Sequence, residues 1–174
     1  MRIAGLLKND LVDGLGFCVS LWTQGCPHHC DGCHNPETWS FAGGIEVQIN
    51  QLEREINEAL NANGVERNFS VLGGEPLCKE NIKDVEYLVH KVRENNPDIK
   101  IFLWTGYTYE ELMARNNPAI PLLLKDIDVL IDGKFDINNR DITLWLRGSP
   151  NQRIIDVQKT LLNREVCEYV NPYN

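Results

Sequence analysis

The chain has 174 residues and a formal net charge of −8, from 17 lysines and arginines against 25 aspartates and glutamates. That length suffices for one domain with a buried core but is short of the roughly 250 residues typical of a closed eightfold β/α barrel. No Lys/Arg-rich block supplies the basic stripe of a nucleic-acid binder, and neither residues 1–8 nor any later apolar run is long enough to predict a signal peptide or a membrane span. A cytoplasmic protein that engages neither nucleic acid nor membrane is the expectation.

Residues 2–7 and 15–22 are apolar and rich in strand formers, separated by Lys8-Asn9-Asp10 and Asp13-Gly14, which predicts a hairpin or a short strand followed by a strand. Cys18 falls within the second as a buried strand residue. Just past that strand's carboxyl end, where β/α folds place their chemistry, lies Cys26-Pro27-His28-His29-Cys30-Asp31-Gly32-Cys33-His34-Asn35. Over residues 47–60, Val47, Leu52, Ile56, Ala59 and Leu60 share one helical face. A turn over 61–68 leads to a short strand at 69–72, which runs straight into Gly73-Gly74-Glu75-Pro76.

Ile82, Val85, Leu88, Val89 and Val92 mark a second amphipathic helix, and residues 99–104 a third strand. Thr108-Tyr109-Glu110-Glu111 has the form of a capping box, and Pro118 and Pro121 interrupt the helix it would begin. A fourth strand over 127–131 ends in Asp132-Gly133-Lys134, and Leu144-Trp145-Leu146 and residues 154–157 read as further strands around the loop Gly148-Ser149-Pro150-Asn151. Strands alternating with helices predict an α/β fold with a mostly parallel sheet. No repeat or linker divides it, so residues 1–174 read as a single domain. Trp22, Trp39 and Trp104 read as core or loop-packing residues.

Three of the six cysteines are gathered at Cys26, Cys30 and Cys33, and in a reducing compartment such a group favours metal or catalysis over disulfides. The short arcs keep the entropy of bringing three thiolates together small. A cube of four irons and four sulfurs wants one thiolate per iron, so three leave one iron open to a small molecule, much as a catalytic zinc keeps a position free. A structural zinc with His28, His29 or His34 as fourth ligand is the other reading, although no second cysteine pair follows at zinc spacing. Gly73-Gly74-Glu75-Pro76 suits a strand-to-helix turn; it also lets backbone groups approach a bound amino acid closely, with Glu75 as acceptor for an ammonium. Thr105-Gly106 and Asp132-Gly133-Lys134 read either as turns or as further borders of such a site. Cys78 and Cys167 stand alone.

The Cys26, Cys30, Cys33 triplet and the Gly73-Gly74-Glu75 motif resemble the signatures of the radical S-adenosylmethionine (SAM) superfamily. More narrowly, the tracts around Cys26 to Trp39, Leu103 to Tyr107, Asp132 to Lys134 and Arg147 to Asp156 resemble the activating proteins of anaerobic ribonucleoside-triphosphate reductases. The resemblance implies a partial β/α barrel forming one radical SAM domain, with a [4Fe-4S] cluster on Cys26, Cys30 and Cys33. It implies that Gly73, Gly74 and Glu75 contact the methionine part of SAM, and that Lys134 pairs with its carboxylate while Asp132 holds a cation or orients that lysine. An aromatic residue often precedes the third cysteine in this superfamily; here Gly32 does, which leaves the adenine to the backbone of Gly32, Cys33 and His34. The implied activity is reductive cleavage of SAM to a 5′-deoxyadenosyl radical, which takes a hydrogen from one glycine of the reductase's large subunit. A flavodoxin or ferredoxin-type protein is the implied electron donor. The alternatives are an activase of another glycyl-radical enzyme such as pyruvate formate-lyase, or a zinc-binding module or electron carrier with no enzymatic role.

Overall fold

The computed structural model of the chain describes residues 1–172. Seven strands form one sheet: β1 (Arg2–Asp10), β2 (Cys18–Thr23), β3 (Ile45–Glu46), β4 (Asn68–Gly73), β5 (Ile101–Trp104), β6 (Val129–Asp132) and β7 (Arg153–Asp156). Their spatial order is β3-β1-β2-β4-β5-β6-β7. The centre, β2-β4-β5-β6, is parallel throughout, whereas β1 and β7 run antiparallel to their inner neighbours. β3 and β7 are the two edges, so the described sheet does not close on itself. Five helices accompany it: α1 (Ile49–Leu60), α2 (Ile82–Asn95), α3 (Tyr109–Ala114), α4 (Ala119–Asp126) and α5 (Val157–Asn163).

Alternation along each strand divides its side chains between two faces. On one, Val19, Leu21, Phe69, Val71, Ile101, Leu103 and Leu130 pack against Leu52 and Ile56 of α1, Val85, Leu88 and Val92 of α2, and Leu123 and Leu124 of α4. Burying each such side chain contributes about 1.5–3 kcal/mol, which is why the helices settle there despite α1 and α2 having no side-chain N-cap. On the opposite face Phe102, Val129, Ile131 and Ile154 are covered by Leu15, Trp104, Trp145 and Leu146. Every cover residue there except Trp104 of β5 and Tyr169 comes from the segments 11–17 and 133–152, and no helix takes part. That loop-covered face holds the site.

Most expected elements form close to their expected bounds, and the departures have local causes. β2 starts at Cys18 rather than at residue 15, because Asp10 Oδ1 accepts the Val12 N–H (2.8 Å) and turns the chain out of the ladder. Leu144-Trp145-Leu146 forms no strand: Leu146 sits at φ 56°, and its carbonyl accepts from the Trp104 indole (2.8 Å) instead of from a neighbouring strand. The helix begun at Thr108 is interrupted as expected, α3 ending at Ala114, and a new helix starts beyond it: Pro118 is the N-cap of α4 and Pro121 falls in its first turn, where backbone N–H groups have no intrahelical acceptor anyway. The capping box at Thr108 and Glu111 is present. The strand expected over 154–157 is β7, and α5 follows it directly, started by the Asp156 side chain accepting from Lys159 N (3.1 Å).

Candidate metal centre and cofactor cavity

The carboxyl ends of β2, β4, β5 and β6 open on a cavity of about 790 Å³, lined by Cys26, Cys30 and Cys33, by Gly32 and His34, by Gly73, Gly74 and Glu75, and by Thr105, Gly106 and Lys134. Its volume lies in the range of about 300–1,000 Å³ usual for cofactor sites. Residues separated by over a hundred positions thus share one wall, because parallel strands present all their carboxyl ends at the same edge.

The first cysteine is placed by continuation of the parallel pairing beyond the strands. Gly74 N–H donates to Thr23 O (2.8 Å) and Glu75 N–H to Gly25 O (2.8 Å), so the turn after β4 lies alongside the start of the cysteine loop. Gly73 adopts φ 104°, and a Cβ on Gly74 would lie 2.4 Å from Gly25 O; only glycine permits this approach. The loop's far end is held by Gly25 N–H to Thr38 O (2.8 Å) and Cys26 N–H to Trp39 O (3.0 Å). Asn81 braces the same junction, its side-chain amide donating to Gln24 O and Glu75 O (both 3.0 Å).

All three thiols are free, with Cys26 buried and Cys30 and Cys33 half-buried. Burial pushes the Cys26 thiol up, as do the neighbouring charges of Glu75 and Cys30. Burial and then the Cys33 charge push Cys30 up, against the Phe135 backbone and the Lys134 ammonium, which draw it down. Thiolates at Cys26 and Cys30, and at Cys30 and Cys33, repel one another and lack full hydration, and cationic iron would offset both costs. The donor set therefore fits an iron–sulfur cluster. Among the described residues no three His, Cys, Asp or Glu side chains are gathered tightly enough to hold a single metal ion.

Two of the three histidines near the triplet have partners other than metal. His28 Nε2 is 2.8 Å from Glu75 Oε2, and His29 stacks on Trp39 with ring centroids 4.9 Å apart. His34 is exposed and lines the cavity.

The expectation that Glu75 receives an ammonium meets a different arrangement. The residue is 1% exposed, and its carboxylate is already occupied. Oε1 accepts from Leu77 N (2.9 Å) and Thr105 Oγ1 (2.7 Å), and Oε2 accepts from Gly106 N (2.7 Å) and meets His28. Asp132, expected to hold a cation or orient Lys134, does hold a cation, the guanidinium of Arg153. Asp132 is fully buried; Arg153 Nε lies 3.0 Å from Oδ1 and Nη2 reaches Oδ2, while Tyr109 N–H donates to Oδ2 (2.7 Å). Arg153 continues to Glu110 (2.6 and 3.0 Å), which holds that carboxyl down at about 2, and the two carboxylates push the guanidinium further up. Lys134 is left exposed on the cavity wall, with no carboxylate partner among the described residues.

Several further residues line the cavity. Trp22, Trp39 and Trp104 reach the cavity as well as packing. Ile137 covers Gly32, whose Cβ would lie 2.6 Å from its Cδ1. Arg140 and Arg147 line the same cavity as Lys134, and Asp13, Glu75 and Asp141 line it too, so its cations and carboxyl groups are equal in number. Val12 and Asp13 come from the β1–β2 loop. Burial and the adjoining Asp10 carboxylate raise the Asp13 carboxyl to about 7. Outside the cavity, burial raises the Cys18 thiol to about 11 and that of Cys78 to about 12, values of inert core thiols.

A family model described as "4Fe-4S single cluster domain" matches residues 12–155. The chain is 38% identical over 145 residues to the anaerobic ribonucleoside-triphosphate reductase-activating protein of Vibrio cholerae, covering 83% of this chain and 91% of that one. It is 38% identical to the protein of the same name from Pasteurella multocida, covering 88% and 96%. For the one from Enterobacteria phage T4 the identity is 36%, with 83% and 87% covered.

Proposed function

The chain belongs to the family of anaerobic ribonucleoside-triphosphate reductase-activating proteins, and we propose that it installs a glycyl radical on the large subunit of such a reductase. When bound and reduced, a [4Fe-4S] cluster supplies the electron that splits SAM into methionine and a 5′-deoxyadenosyl radical, which then takes a hydrogen atom from the target glycine. The observation that carries this reading is the convergence of three free thiols, a glycine turn and an unpaired ammonium on one cavity.

Cys26, Cys30 and Cys33 would hold the cluster and, being only three, would leave one iron without a protein ligand and open to SAM. The bare backbone of Gly73 and Gly74 lies against its methionine part, and Lys134 meets the carboxylate. Glu75 serves the cofactor site by fixing its walls, since its own acceptors are taken. Gly32, Cys33 and His34 border the adenine, with Ile137 behind Gly32. Trp22, Leu72 and Trp104 project from the sheet into the same space and keep water from the radical.

The sheet is best described as a partial β/α barrel, making residues 1–174 a single radical SAM domain. Supporting this are the helices packed on one face and the cavity on the other. Its open side admits a polypeptide loop. A flavodoxin or ferredoxin-type donor in the cytoplasm completes the reaction. Among the described residues no helix is long and apolar enough to cross a membrane.

The test is anaerobic reconstitution followed by reduction with SAM present. Wild type should retain about four irons per chain, release methionine and 5′-deoxyadenosine, and give a protein radical by electron paramagnetic resonance once reductase is added. Cys30→Ala should do none of these. Wild-type protein carrying a full cluster that leaves SAM intact would refute the assignment.

A further inference from the structure

The cysteine loop has little to hold it. Between Cys26 and Asn35 the only backbone–backbone bond formed within it is Cys33 N–H to Cys30 O (3.0 Å), and His29 sits at φ 48°. Yet the loop must present three thiols at fixed positions, and ordering each loose residue costs about 1–2 kcal/mol. We propose that His28 is a positioning residue that clasps this loop to the turns after β4 and β5 and so forms the thiol arrangement before any cluster arrives. The inference rests on the reading that Cys26, Cys30 and Cys33 hold the cluster.

Three features converge on that histidine. Its side chain is 7% exposed, and its Nε2 lies 2.8 Å from Glu75 Oε2; with a carboxylate as acceptor, Nε2 is the donor. Glu75 is held by Thr105 Oγ1 and the Gly106 amide of the turn after β5, so one carboxylate joins three loops that are distant in sequence. Gly106 makes room for the ring: a Cβ there would stand 2.5 Å from His28 Cδ2 and 2.7 Å from Nε2. The outer side is closed by Tyr107, edge-on with ring centroids 4.5 Å apart. Tyr107 is itself covered by the Arg115 guanidinium, 4.6 Å from its ring centroid. A histidine placed only to ligate metal would have no use for this housing.

The first experiment uses the metal-free, full-length protein, so it stays distinguishable from a failure of the cluster assignment. Exchange of the Cys33 amide, the hydrogen-bonded N–H of the loop, should quicken about tenfold in His28→Leu, the population change that about 1.4 kcal/mol of local opening gives. His28→Gln, whose amide can donate in place of Nε2, should exchange near the wild-type rate. Gly106→Ala, which keeps both partners but fills the ring's space, should behave as His28→Leu does. Exchange in β5 is the control and should not change.

After reconstitution, the reduced cluster of His28→Leu should show an altered and heterogeneous electron paramagnetic resonance spectrum, restored in His28→Gln. Unchanged loop exchange in a folded His28→Leu protein overturns the proposal, as does a glutamine variant no better than the leucine one. Faster exchange throughout β5 in both His28→Leu and Gly106→Ala also overturns it, since the bond would then hold the whole fold and not the loop.

Discussion

Arg153→Ala tests how the site's lower wall is held. Asp132, at the carboxyl end of β6 and 1% exposed, has Arg153 Nε as the sole donor to Oδ1, and shares Oδ2 between Arg153 and the Tyr109 amide. Removing the guanidinium leaves a buried carboxylate with a single donor. Breaking a fully buried pair costs about 3–5 kcal/mol. Because the Arg153 side chain is 38% exposed, water enters the gap and the figure is discounted to about 2–3 kcal/mol. For a chain of this size that lowers the melting midpoint by about 5–10 °C, read by circular dichroism on the metal-free protein. A double-mutant cycle isolates the cause: in an Asp132→Asn background the same substitution should cost less than half as much. An equal cost in both backgrounds, or a shift of under about 2 °C in the wild-type background, refutes the account, because the buried charge would then be satisfied some other way.

Two further outcomes are expected. Gly74→Ala drives a Cβ to 2.4 Å from Gly25 O, so the turn after β4 and the cysteine loop must separate; melting should fall by the equivalent of about 1–3 kcal/mol, and calorimetry of the reconstituted protein should show weakened SAM binding. Asp13→Asn bears on pH. The Asp13 carboxyl is raised from 3.8 to about 7 by burial and Asp10, so the folded state holds its proton more tightly than the unfolded one, and the stability present at low pH is lost as pH rises towards 7. The asparagine should flatten the fall in melting midpoint between about pH 4 and pH 7, and an unchanged slope would show that Asp13 is not its source.

The alternating elements, the cysteine triplet and the glycine turn are legible in the chain because each is a local matter: apolar periodicity, ligand spacing over a few residues, and a turn that tolerates no side chain. Edge and loop features are less legible. The two-residue β3 has too little pattern to read, and Leu144-Trp145-Leu146 has a strand's composition while lacking a strand to pair with.

Apart from the capping box at Thr108 and Glu111, the partners of charged side chains could not be read. Nothing local in the chain says that Glu75 is spent on His28, Thr105 and Gly106, or that Asp132 takes Arg153. Local sequence specified which groups are available, because spacing and periodicity act over a few residues. The tertiary structure decided which of them remain free for chemistry, because a buried carboxylate binds whatever donor the folded chain brings within about 3 Å.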